Sequence, residues 1–150
     1  MRLRLPTIAL ALVAGIAFAS SVQGGHWWVI GGSEIGPFGA TRCEGCGPAG
    51  LSWLGAGEQW IRFGVATWAA GMIAMVVLLV LAAAVAAKRV PRLVAKMTLV
   101  AIVTAVITGA IFFAKFPRDV FPADIARGIW LFVIAIVLGS AAAIMVLRQR

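Results

Sequence analysis

Residues 63–96 read FGVATWAAGMIAMVVLLVLAAAVAAKRVPRLVAK, and this stretch decides the fold. Its first 25 residues carry no charge, which is long enough for a helix to cross the ~30 Å hydrocarbon layer of a membrane. Its last nine residues hold four basic side chains and no acidic one. A long apolar run that ends in a basic turn is typical of a transmembrane helix whose turn lies in the cytoplasm.

Three further apolar runs give the chain four in all. The four runs cover residues 5–22, 63–87, 97–114 and 128–147. With 63% hydrophobic residues, 12% charged residues and a mean hydropathy of +1.05, the chain is far more apolar than a soluble domain, of which roughly a quarter is charged. We therefore predict an all-α integral membrane protein, a single bundle of four transmembrane helices over residues 1–150.

The charges separate into two groups. The links before the first run, between the second and third, and after the fourth carry only bases: Arg2, Arg4, Lys88, Arg89, Arg92, Lys96, Arg148 and Arg150. The other links carry five acids and five bases: Glu34, Glu44, Glu58, Asp119 and Asp124 against Arg42, Arg62, Lys115, Arg118 and Arg127. The net charge of +8 therefore lies on one face, and the positive-inside rule places both termini in the cytoplasm.

The composition also bears on source and partners. Abundant Ala, Gly, Val and Arg favour a GC-rich bacterial genome, so we expect a bacterial inner (plasma) membrane. The bases flank apolar runs, which favours contact with anionic lipid heads over nucleic acid, despite a sequence pI near 11.4. We expect the lipid bilayer as a partner and no cofactor. Small residues such as Gly64 and Gly71 suit a compact bundle, a homo-oligomer or a larger membrane complex.

The first run has two interpretations. Arg2 and Arg4, the apolar run and its small-residue end at residues 17–21 fit a cleaved signal peptide. The same length also suffices for a short span. We favour a retained helix, and either interpretation leaves residues 23–62 outside the cytoplasm.

Residues 23–62, which we call the outer loop, are the only sizeable segment outside the runs. Gly and Pro recur in it, which favours turns, and residues 27–30 fit a short β-strand. The loop is too short to build its own hydrophobic core and must pack against the membrane, the helix ends or a partner. All six tryptophans lie at or near the membrane face that carries the outer loop, which indicates either membrane anchors or a partner interface. For a partner interface, the candidate residues are Trp27, Trp28, Trp53 and Trp60.

Cys43-Glu44-Gly45-Cys46 is the sharpest local motif, and it lies on the predicted outer side, where thiols tend to oxidise. The motif fits a structural disulfide between Cys43 and Cys46 or a redox-active dithiol. We expect no metal, because zinc needs two further ligands and His26 is the only histidine. The second, third and fourth runs contain no ionisable residue, so their hydroxyl groups are expected to serve packing.

The layout of the whole chain resembles the claudin and peripheral myelin protein superfamily. Trp28 early in the loop, residues 50–53 (GLSW), the two cysteines and Arg62 at the mouth of the second run carry this resemblance. It implies a disulfide within the outer loop and a lateral, protein-binding role for that loop. That superfamily places its Gly-Leu-Trp before the cysteines and separates the cysteines more widely.

A C-x-x-C motif in the first outer loop of a four-span protein also resembles the DsbB-type disulfide-generating quinone reductases. That resemblance implies catalysis by Cys43 and Cys46, but residues 115–127 lack the second cysteine pair that the electron relay needs. Our leading hypothesis is therefore a small non-enzymatic membrane protein, structural or accessory, whose outer loop contacts itself or a partner. The alternative is an extracytoplasmic thiol–disulfide oxidoreductase.

The separation of charges makes a prediction about topology. In a background without Cys43 and Cys46, the variants Ser33→Cys and Val120→Cys should react with a membrane-impermeant thiol reagent applied to intact cells. Val90→Cys should react only after the cells are permeabilised, because the basic turn faces the cytoplasm. Labelling of Val90→Cys in intact cells would contradict the orientation.

Overall fold

The computed structural model describes residues 4–23, 27–30, 33–40, 58–89, 92–116 and 123–149. The helices are α1 (Arg4–Gln23), α2 (Glu58–Ala86), α3 (Arg92–Ala114) and α4 (Arg127–Arg148). The strands are β1 (Trp28–Ile30), β2 (Ser33–Gly36), β3 (Gly39–Ala40) and β4 (Asp124–Ile125). Strands β1 to β3 follow α1, and β4 lies between α3 and α4.

All four helices are long and apolar enough to span a membrane, which confirms the predicted four-helix bundle. Two of them begin five residues before the predicted spans. Helix α2 begins at Glu58 rather than residue 63, and α3 begins at Arg92 rather than residue 97. The helical hydrogen bonds thus continue beyond the uncharged runs, because long basic side chains can reach the headgroup layer from a helix end.

Each helix packs antiparallel against its neighbours in sequence, and α4 packs back against α1. Gly71 of α2 lies against Val22 of α1, and Gly109 of α3 lies against Phe132 of α4. The bundle therefore has two distinct ends. We call the end that carries the strands the sheet end, and the opposite end, with Lys88, the basic end.

Small side chains fill much of the interior of the bundle, and many of the large apolar ones face outward. The alanines with no exposed surface are Ala11, Ala14, Ala74, Ala95, Ala105, Ala135, Ala142 and Ala143. Small residues let helix backbones approach closely, and this packing holds helices together in lipid. Ile16 and Val100 are 64% and 66% exposed, and an outer surface of such residues suits lipid rather than water.

Four threonine hydroxyls in the helices bond within their own helix, as expected for packing. Thr67, Thr98, Thr104 and Thr108 each donate to the carbonyl oxygen four residues earlier, over 2.7–3.0 Å. Such bonds satisfy the hydroxyl group without a partner from another helix.

The described strands form one antiparallel sheet in the order β3-β2-β1-β4. Trp28 of β1 stands opposite Ile35 of β2 on one side and Ile125 of β4 on the other. This confirms the strand predicted at residues 27–30. The sheet therefore combines strands from the outer loop with a strand from the link between α3 and α4, and that link was not predicted to contain one.

Helix α2 ends in the predicted basic turn through a backbone motif. Lys88 adopts the left-handed conformation (φ 61°). Its N–H donates to the carbonyl of Val85, and the N–H of Arg89 donates to the carbonyl of Ala84, both over 3.1 Å. This is the Schellman arrangement, and it closes the helix while the basic side chains stay exposed.

Two glycines of the α1–α2 contact should respond in opposite ways to the same substitution. A Cβ atom at Gly71 would lie 2.8 Å from a methyl group of Val22, whereas one at Gly15 would meet ordinary contacts of 3.6–3.8 Å. Because valine is stiff about χ1, Gly71→Ala should destabilise the bundle by about 1–3 kcal/mol.

Gly15→Ala is the matched control and should be neutral or stabilising by up to ~1 kcal/mol, since alanine favours helix over glycine. Thermal unfolding in detergent, followed by circular dichroism, measures both. Equal stability of the two variants would contradict the close packing at Gly71.

Candidate functional site

The sheet end holds a cluster of aromatic side chains, which we call the aromatic cluster. Its members are Phe18, Trp27, Trp28, Trp60, Phe112, Phe113, Phe116 and Phe132. The centroids of neighbouring rings are 4.3–6.1 Å apart. Every helix contributes to the cluster, so that it joins the outer loop to the whole bundle.

Trp28, the first residue of β1, stacks on Phe116 just beyond α3. The two ring centroids are 4.3 Å apart and the ring planes are within 14° of parallel. The side chain also meets Phe112 edge-on at 5.3 Å. The ring of the preceding Trp27 lies in the same cluster, 5.8 Å from the ring of Trp28 and 5.6 Å from that of Phe112.

Trp27 lies against α4 and bonds to the end of α1. Its ring centroid is 5.0 Å from that of Phe132, and its indole N–H donates to the carbonyl oxygen of Ser21 over 3.0 Å. The Ser21 hydroxyl in turn donates to the carbonyl oxygen of Gly128 over 2.8 Å. These bonds connect the last turn of α1 to the first turn of α4.

Trp60 closes the end of α3. Its indole N–H donates to the carbonyl oxygen of Phe112 over 2.9 Å, and its ring stacks on the Phe112 ring at 4.9 Å. In a continuing helix the amide of Phe116 would serve that carbonyl, but here it bonds to Phe113. The indole therefore satisfies one of the carbonyl groups that a helix leaves unpaired at its C-terminus.

The structure brings together three of the four tryptophans predicted to form the partner interface, but it places them inside the protein. Trp27, Trp28 and Trp60 are 2–3% exposed, and Trp53 lies outside the described residues. A partner could touch these three rings only if they left the cluster. Any interface at this end of the fold is therefore made by residues around them.

The anchor interpretation also needs correction for Trp27 and Trp60, because the protein itself satisfies both their rings and their N–H groups. Trp68 is half-buried, and its N–H donates to the side-chain oxygen of Gln23 over 2.8 Å. Trp130 is 64% exposed, as expected for a ring in the headgroup layer.

The described residues contain no group of three or more His, Cys, Asp or Glu side chains that could hold a metal ion. Cys43 and Cys46 lie outside the described residues, so both the disulfide and the redox interpretation stay predictions. A cavity of about 240 Å³ between α3 and α4 has apolar walls that include Trp27, Gly109 and Phe132. Its lining suits packing or lipid and offers no acid–base pair.

Comparison with known protein families, with characterised proteins and with solved structures finds no match to this chain. The fold itself defines the class: a four-helix integral membrane protein with a sheet at one end.

Sequence reasoning missed the phenylalanine half of the aromatic cluster. Phe112 and Phe113 lie at the end of the third run, Phe116 lies two residues beyond it, and Phe132 lies near the start of the fourth. Their common position at the same membrane face was visible in the sequence. Together with the one-sided tryptophans, that position would have indicated a joint core at the helix ends.

Replacing Trp60 by phenylalanine tests the role of its N–H. Trp60→Phe keeps an aromatic ring but leaves the Phe112 carbonyl without this donor, so the free energy of unfolding should fall by about 1–3 kcal/mol. Hydrogen exchange should also rise in the last turn of α3. Trp130→Phe, at an exposed position, should change stability by less than about 0.5 kcal/mol; an equal loss in both variants would contradict the capping role.

Proposed function

We propose that this protein is a small non-enzymatic integral membrane protein, structural or accessory, that uses its outer loop and sheet to contact a second copy or another membrane protein. The observation that supports this most strongly is the composite sheet. Strand β1, which contains Trp28, pairs with β2 of the outer loop and with β4 of the link between α3 and α4. The aromatic cluster fixes these strands to the helices. A surface that is ordered in advance loses little conformational entropy on binding.

The distribution of charge supports a bacterial inner membrane orientation with both termini in the cytoplasm. Five basic side chains described at the basic end are exposed: Lys88, Arg89, Arg92, Lys96 and Arg148. The sheet lies at the opposite end, which the positive-inside rule places outside the cytoplasm. A contact surface there would meet other extracytoplasmic segments.

The exposed edge of the sheet offers a concrete point of contact. β4 is an edge strand among the described strands, and Ile125 on it is 55% exposed. Edge strands can pair with a strand of another chain. An exposed apolar side chain on an edge strand suits such a partner, and the claudin-like layout of the sequence favours the same lateral role.

A photo-crosslinking experiment tests the proposed function. A photoreactive amino acid at Ile125 should form a defined adduct in membranes, either with a second copy or with one partner protein. The same amino acid at Leu93, which is 72% exposed near the basic end, is the matched control and should not give that adduct. Adducts that are the same from both positions, or none from Ile125, would contradict an interface at the sheet end.

The double variant Cys43→Ser/Cys46→Ser, made in the same crosslinking background, separates the proposal from the oxidoreductase alternative. Because the loop between the two cysteines is very short, a disulfide there should contribute little to global stability, and the bundle should stay inserted. We expect greater protease sensitivity at residues 31–57 and a weaker Ile125 adduct. Full loop protection combined with lost oxidation of a partner dithiol would instead favour the enzyme.

A further inference from the structure

A groove lies between α2 and α3 on the outward surface of the bundle. Its volume is about 380 Å³, and its walls are almost entirely apolar. Ala70 of α2 and Ala101 of α3 line it, together with larger side chains such as Ile73. Small residues on both helices leave space that the neighbouring side chains do not fill, so the groove is open to the hydrocarbon layer.

The groove runs from the basic end toward the middle of the bundle. Lys96 and Thr104 both line it, and eight residues of helix between them correspond to about 12 Å at 1.5 Å per residue. The hydrocarbon depth of one leaflet is about 15 Å, half of the ~30 Å layer. The groove therefore matches the depth of the leaflet at the basic end.

The charge around the groove has one sign. Among the described residues that line the groove, Lys96 alone is charged. Lys88, Arg89 and Arg92 are exposed near the ends of the same two helices. Residues 88–114 include no acidic residue. A negatively charged group at this position would meet basic side chains alone.

The walls exclude an extended peptide as the occupant. An extended peptide would bring N–H and C=O groups that need partners at membrane depth. Thr104 supplies the only hydroxyl group among the lining residues, and that group already donates to the carbonyl of Val100 over 3.0 Å. An acyl chain has no polar group to satisfy and fits walls of this kind.

We propose that this groove binds one acyl chain of an anionic phospholipid, with the headgroup phosphate at the Lys96 ammonium group. The lysine side chain can extend along the apolar surface to the headgroup layer while its charge stays in the polar region. The phosphate supplies a negative charge opposite the basic side chains, and the acyl chain fills the space beside Ala70 and Ala101. The site is independent of the contact surface at the sheet end.

Native mass spectrometry of the detergent-solubilised protein tests the proposal. The protein is given equal amounts of phosphatidylglycerol and phosphatidylcholine with the same acyl chains. We expect one retained phosphatidylglycerol. Lys96→Gln should lower the preference for this lipid about fivefold, in line with the contribution of one basic residue near a charged lipid surface. Arg148→Gln is the matched control. It removes one positive charge from α4 at the same basic end of the bundle and should change the preference less than twofold.

Two phenylalanine variants test the groove itself. Thr104→Phe fills its deep end and should reduce retention of phosphatidylglycerol, whereas Val103→Phe adds the same ring at the adjacent exposed position and should not. Equal retention in Lys96→Gln and Arg148→Gln, or in the two phenylalanine variants, would overturn the proposal.

Photo-crosslinking of the unaltered protein with a phosphatidylglycerol that carries a mid-chain diazirine keeps the test independent of variant folding. Adducts should concentrate on residues 97–104 of α3 and on the facing turns of α2. Adducts spread evenly over all four helices, or equal binding of phosphatidylcholine, would show general solvation by lipid and overturn the proposal.

Discussion

Trp27 joins more parts of this molecule than any one helix contact does. Its backbone N–H donates to the carbonyl oxygen of Ile35 in β2 over 2.8 Å, and its carbonyl oxygen accepts from the N–H of Ala126 just before α4 over 2.9 Å. Its indole N–H donates to Ser21 near the end of α1. One residue thereby fixes the sheet, the entry of α4 and the exit of α1, and the remainder of the sheet end depends on that arrangement.

The two ends of the bundle use different groups to satisfy the backbone polar groups at the helix ends. Backbone polar groups at a membrane boundary need partners, and at the basic end the backbone provides them, through the left-handed turn at Lys88. There the guanidinium of Arg92 also donates to the carbonyl oxygen of Gln149 over 3.0 Å. At the sheet end, indole N–H groups serve the ends of α1 and α3. This difference gives Trp27 and Trp60 a structural role at the sheet end.

The four spans and the two charged ends could be predicted from sequence because each is a local pattern. The strand at residues 27–30 was also predicted, since Gly-rich flanks and large apolar residues mark it. The strand β4 could not be, because two residues carry too little periodicity. The burial of Trp60 could not be either, since its partner Phe112 is 52 positions away in the chain. Such pairs are determined by helix packing, and a tryptophan near a membrane face has the same local pattern whether it packs inward or faces lipid.

The interior of the bundle restricts where function can reside. Alanine and glycine bring the helices together, and the described threonine hydroxyls in α2 and α3 bond within their own helices. Transport of an ion or a proton relay would need ionisable or free polar groups at membrane depth, and residues 63–87, 97–114 and 128–147 contain no ionisable one. Recognition is therefore left to the two ends and to the lipid-facing surface. The sheet end has a sheet held on buried tryptophans. The basic end has exposed basic side chains beside an apolar groove.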